Sequence, residues 1–116
     1  MAVLNITSST VGVEFTSAEK ILGLLRDFTV HRDQVLAATV HADPLAVVRG
    51  LRAPGFAVPG RRRVGTWRRP GHRTAVAVIA DTTAIRLLLQ GHRYDELILS
   101  HPDAAAWAAA LGPARP

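Results

Sequence analysis

Between Gly50 and Arg73 the chain reads GLRAPGFAVPGRRRVGTWRRPGHR, with seven arginines and no acidic residue. Arginine presents a rigid fork of N–H donors that matches phosphate and carboxylate oxygens in pairs, so a cluster of arginines is a device for holding anions. Side chains alternate along a strand, so Arg61 and Arg63 share one face there and Arg62 takes the other, while Arg68 and Arg69 stand at the strand's far end. These five residues, Arg61, Arg62, Arg63, Arg68 and Arg69, are the candidate anion-binding set. Near an anionic membrane each basic residue contributes about 1 kcal/mol, enough for such a group to hold a domain weakly on a surface. The competing explanation is a solvated edge strand whose charges prevent edge-to-edge pairing.

A glycine recurs at every fifth position, Gly50, Gly55, Gly60 and Gly65. Pro54-Gly55 and Pro59-Gly60 suit type II turns, in which proline sets the first central angle and glycine supplies the positive φ of the second. Gly65, inside a strand pattern, suits a bulge or a close approach of another backbone. The outer spacing from Gly60 to Gly65 is that of a P-loop, but Thr66 stands where the phosphate-binding lysine belongs. No GxGxxG run exists either, so no cofactor is implied.

Other reactive side chains form no constellation. His31, His41, His72, His92 and His101 show no metal-ligand spacing, so no metal site is expected. The serines lie in turn-like or cap-like contexts and no nucleophile elbow is present. Asp33, Asp43, Asp81 and Asp95 could serve as acids or bases, yet no pair stands out, and no catalytic residue is assigned. Trp67 beside Arg68 has the look of a stacking platform for bases, but a tryptophan in a strand pattern is more often core.

Composition frames these residues. The chain of 116 residues is nearly half apolar, with no cysteine and a net charge of +5. One domain is the simplest reading, 1–112, with a short tail at 113–116. Arg49 to Arg73 holds eight of the fourteen basic residues, and the remainder, with six basic and nine acidic residues, carries −3. Such polarity points to an anionic partner, though an arginine-rich composition produces basic surfaces of its own accord. No signal peptide or membrane-length apolar run is visible, so a cytoplasmic location is expected.

The elements that must carry these residues are mostly strands. Val3–Thr7 and Val11–Phe15 alternate as a hairpin. Thr16-Ser17-Ala18-Glu19 is a capping box opening a short helix to about Arg26, with Ile21, Leu22, Leu24 and Leu25 as its apolar face. Strands follow at Phe28–His31, Val35–His41, Arg62–Arg68, Thr74–Ala80, Ile85–Leu89 and Tyr94–Leu99. Leu45–Val48 follows Asp43-Pro44 and stays unassigned. Ser100 reads as the cap and Asp103 as the capping-box acid of a terminal helix that buries Trp107 and Leu111 and stops at Gly112-Pro113.

The run LRAPGFAVPGRRRVGTW, Leu51 to Trp67, resembles the lRxPGxxxPGxxxxGxf signature of bacterial pleckstrin-homology-like (PH-like) domains. YDELILSHPDAAAWAAAL, Tyr94 to Leu111, resembles their last strand, serine-capped turn and terminal helix. The resemblance spans roughly Val11 to Leu111. It implies a mainly β fold: a two-sheet sandwich or open barrel of about seven antiparallel strands, closed by the C-terminal helix. Eukaryotic relatives often bind phosphoinositides through an early hairpin. No such residues carry over, because this chain has a helix after its second strand and keeps its arginines mid-chain. The expected function is a non-catalytic binding or scaffolding module, contacting a protein or an anionic lipid surface through the 49–73 segment. A small-molecule pocket or small enzyme in the barrel cavity, of the kind used in secondary metabolism, is the first alternative. Weak nucleic-acid binding is the second. Self-association is compatible with each.

Overall fold

The computed structural model describes residues 1–112, with residues 52–54 described by backbone alone; the proposed tail at 113–116, including Pro113, lies outside the described residues. Among the described residues nine strands form two sheets. The smaller sheet, in the order β1-β2-β3, holds β1 (Val3–Ile6), β2 (Thr10–Glu14) and β3 (Phe28–His31). The larger runs β4-β8-β9-β7-β6-β5, from β4 (Val35–His41), β5 (Leu51–Val58), β6 (Arg62–Arg69), β7 (His72–Ile79), β8 (Ala84–Leu89) and β9 (Glu96–Ser100). Neither sheet closes into a barrel. All pairings are antiparallel except β7 with β9, which is parallel, because β9 enters between β8 and β7. That central place explains the uninterrupted Leu97-Ile98-Leu99 run: a strand buried on both faces loses its polar alternation.

Two apolar layers result. Val11, Val13 and Val30 of the small sheet meet Val64, Ala75, Ala77, Ile85, Leu87, Leu97 and Leu99 of the large one. On the opposite face of the large sheet, Trp67, Val76, Val78, Ala84 and Ile98 are covered by Leu45, Val47 and Val48. The segment between β4 and β5, left unassigned from sequence, is therefore a lid over a second core.

Helix α1 (Ser17–Gly23) begins with the expected capping box: Thr16 Oγ1 accepts from Glu19 N at 3.2 Å and Glu19 Oε1 accepts from Thr16 N at 2.8 Å. It ends earlier than the sequence suggests, with Leu24 in the left-handed region at φ 52°. Its expected apolar face is overturned, apart from Leu25. Gly23 and Leu25 are buried, whereas Ile21 and Leu24 are 74% and 68% exposed. The cause is the seating of the helix. A Cβ on Gly23 would lie 2.7 Å from Val64 Cγ1 and 3.0 Å from Gly65 N, so α1 rests backbone-to-backbone on β6 through its glycine. Gly65 is the close approach that its place in a strand pattern suggested.

Helix α2 (Ala104–Leu111) packs on β1, β4 and β8 and so bridges both sheets. Ala104 is fully buried while Trp107 is only partly buried, its ring tilted against that of His101 at 4.3 Å, so the tryptophan is a shoulder of the core rather than its plug. Ser100 is not a cap. It ends β9, buried, with Oγ accepting from Ile79 N at 3.0 Å. Asp103 holds the N-cap position without a side-chain bond. Arg32 Nη2 donates to Ala110 O at 2.9 Å, tying the end of α2 to the β3–β4 connection.

The chief difference from the sequence reading is β5. Gly55 lies within a strand, opposite Gly65, and a register shift between Arg52 and Gly55 marks an irregularity there. The second Pro-Gly pair behaves as expected. Arg61 N donates to Val58 O at 3.0 Å and Gly60 takes φ 71°, the geometry of a type II turn.

Candidate anion-binding site

The five candidate arginines lie on or beside β6, but the structure splits them between its two ends. Arg61 and Arg69 are eight steps apart along the chain, about 25 Å at the usual strand rise. Arg63 is committed to the fold: its Nη1 donates to the carbonyls of Leu45 and Val48, both at 3.4 Å, and so clamps the lid over Trp67. Arg61 and Arg62 border a cleft of about 350 Å³ with Val58, Gly60, Ile79, Ala80 and Asp81. Among the described residues the buried Arg62 Nε has no hydrogen-bond partner. Two arginines beside one aspartate and a largely apolar wall make a weak anion site.

The other end is different. The β6–β7 hairpin turns on Pro70-Gly71, and its register sets Arg68 opposite Arg73 and Arg69 opposite His72. Arg93, from the loop entering β9, joins them because β9 lies beside β7. Arg68, Arg69, His72, Arg73 and Arg93 line an open cleft of about 320 Å³ whose single carboxylate is Asp95. That carboxylate is engaged, accepting from Arg73 N at 2.8 Å through Oδ2. Arg69 also borders a second cleft of about 230 Å³, with His41, Arg49, Arg86 and Glu96. Among the described residues the side chains of Arg49, Arg69 and Arg73 enter no ion pair or hydrogen bond. Arg93 stacks over the Tyr94 ring at 5.2 Å, which steadies its guanidinium at the rim.

His72 links the first cleft to a polar knot around the buried Glu96, which borders the second. Glu96 accepts from His72 Nε2 at 2.9 Å, from Thr74 Oγ1 at 2.9 Å and from Arg86 Nε. Burial by itself pushes the Glu96 carboxyl upward, but the three hydrogen bonds and the charge of Arg86 outweigh it, leaving it below the ordinary glutamate value. An ionised carboxylate is thus held beside the cleft, where it fixes the imidazole of His72 and takes up Arg86. Among the described residues Arg69 and Arg73, which line the same cleft, enter no ion pair. His92, in the same loop as Arg93, stacks 4.8 Å from Phe28, and burial followed by the charge of Arg93 lowers its pKa.

Sequence reasoning found Arg68 and Arg69 but not their partners Arg73, Arg93 and His72. Arg73 and His72 were within reach, since the RPGH turn implies the register that faces them with Arg68 and Arg69. Arg93 was not, because nothing local announces a parallel strand inserted beside β7. Trp67 is buried in the second core and offers no stacking face. Among the described residues, no three His, Asp or Glu side chains cluster as a metal site, and no helix is long and apolar enough to cross a membrane.

No family model, curated protein or solved structure matches the chain.

Proposed function

We propose that this chain is a PH-like binding module that docks on an anionic, phosphate-bearing lipid surface through the arginine cleft of the β6–β7 hairpin. The observation that carries this is the cleft's composition: four arginines and a histidine around one carboxylate that is already hydrogen-bonded. Its four arginines and one aspartate sum to +3. The cleft is shallow and open, lies at the rim, and is polar, which suits headgroups presented by a surface better than an enclosed small molecule, which favours concave, mostly apolar sites. The space between the sheets, where the small-molecule alternative would place its ligand, is filled by buried aliphatic side chains. A nucleic-acid role loses its stacking residue with the burial of Trp67.

Co-sedimentation with vesicles of phosphatidylcholine and phosphatidylglycerol, over a salt series, tests this reading. Binding should appear at low salt and fall steeply as salt screens the contacts. Single-stranded DNA added in competition should fail to displace the protein. Displacement by DNA would favour the nucleic-acid role, and absence of binding to either would leave the arginines as a solvated surface.

A further inference from the structure

Helix α1 exposes what an amphipathic helix ordinarily hides. Ile21 and Leu24 are 74% and 68% exposed, and Leu22 is 40% exposed. Leu51, at the start of β5, is 78% exposed. All four stand on one side of the larger sheet. Gly23 rests on Val64, so α1 lies on the Val64 face of β6. Residues four apart on a strand share a face, which places Arg68 with Val64. Leu51 pairs directly with Arg68 and so shares that face too. Leu51 therefore adjoins an arginine that lines the cationic cleft, and α1 lies on the same face of β6.

Leu24 adds an independent observation. It is the sole non-glycine residue with positive φ among the described residues. A leucine in the left-handed region is disfavoured relative to glycine, and its side chain recovers none of that cost in the core, since it is mostly exposed. Neither helix capping nor packing accounts for a leucine there.

The charges around α1 fit an anionic neighbour. Glu19 is buried in the capping box, and Asp27 is paired with Lys20 at 3.1 Å. Arg26 is exposed. A protein interface of this kind would centre on an aromatic anchor, and this patch has only Ile and Leu side chains. We infer that Ile21, Leu22, Leu24 and Leu51 enter the acyl–headgroup boundary of a bilayer when the arginine cleft engages its anionic headgroups. The aliphatic side chains gain burial in the boundary while the guanidiniums stay at the phosphates. This rests on the proposed docking of the cleft on a lipid surface and adds the depth and orientation of that docking.

Leu24→Asn separates insertion from folding, because asparagine accepts the left-handed conformation better than leucine does. The variant should melt no lower than the parent, yet bind phosphatidylglycerol-containing vesicles about tenfold more weakly, the scale of one buried leucine. Ile21→Ser should act similarly. The chain has no cysteine, so Ile21→Cys can carry an environment-sensitive fluorophore, whose emission should shift to the blue on those vesicles. If the parent binds and Leu24→Asn binds equally well with no fluorophore shift, insertion is wrong and the arginine cleft alone does the docking. If the parent fails to bind the vesicles at all, the surface reading itself fails. If sedimentation shows a dimer that Leu24→Asn converts to monomer, a second copy of the chain covers the patch and the inference is overturned.

Discussion

Glu96 shows how a single buried carboxylate organises this protein. It is the shared acceptor of His72, Thr74 and Arg86, and none of these contacts is visible from residue types alone, since Glu96 reads as one polar position in an otherwise apolar strand. Its pKa is depressed in the fold, so the folded state releases its proton more readily than the unfolded chain does. Stability should therefore be full above the ordinary glutamate range and decline as pH falls through the folded value. His92 acts earlier in an acid titration with the same sign. Its pKa is lowered, so the unfolded chain takes up the proton first and stability begins to fall as pH drops below about 6.5, the ordinary histidine value. Denaturant melts across a pH series should show two descending limbs. Glu96→Gln should flatten the lower limb and cost about 1–3 kcal/mol at neutral pH, less than a fully buried pair because Arg86 and His72 are partly solvated. A Glu96→Gln variant as stable as the parent, with an unchanged acid limb, would mean that the knot is incidental.

At the scale of elements, the glycines carry the information. Gly60 does what its Pro-Gly dipeptide announced, whereas Gly55 became strand because β6 offered a partner edge that propensity could not anticipate. The capping box set the start of α1 correctly, since it is local chemistry. The burial of the helix was misread, since that depends on Gly23 meeting Gly65 across the fold. Two effects oppose each other in Gly23→Ala. Alanine favours a helix over glycine by about 1 kcal/mol, but the added Cβ meets backbone atoms of Gly65 at 3.0 and 3.1 Å, and overpacking of this kind costs about 1–3 kcal/mol. The clash should win, giving a net loss of about 1 kcal/mol in a urea melt. A stabilised variant would show that α1 is not seated on β6 as described.

For the molecule as a whole, the β-rich two-sheet plan and the terminal helix were legible in the periodicity and turn residues. The strand order was not. Inserting β9 between β7 and β8 is a long-range choice, and it brings Arg93 and the hairpin arginines to one rim. The arginine-rich segment consequently serves three ends: Arg63 clamps a lid, Arg61 and Arg62 border one cleft, and Arg68, Arg69 and Arg73 line the proposed site. Location is therefore the sharpest claim. Vesicle co-sedimentation at low salt should be compared for Arg69→Ser/Arg73→Ser and for Arg61→Ser, with melting temperatures recorded for each. Among the described residues neither arginine of the pair makes an ion pair, so both variants should melt with the parent. The double variant should lose most of the binding, roughly tenfold or more if each arginine contributes about 1 kcal/mol at the surface, while Arg61→Ser should lose little. Equal losses from both variants would show a diffuse basic surface, and retention of binding by the double variant would contradict the β6–β7 cleft as the site.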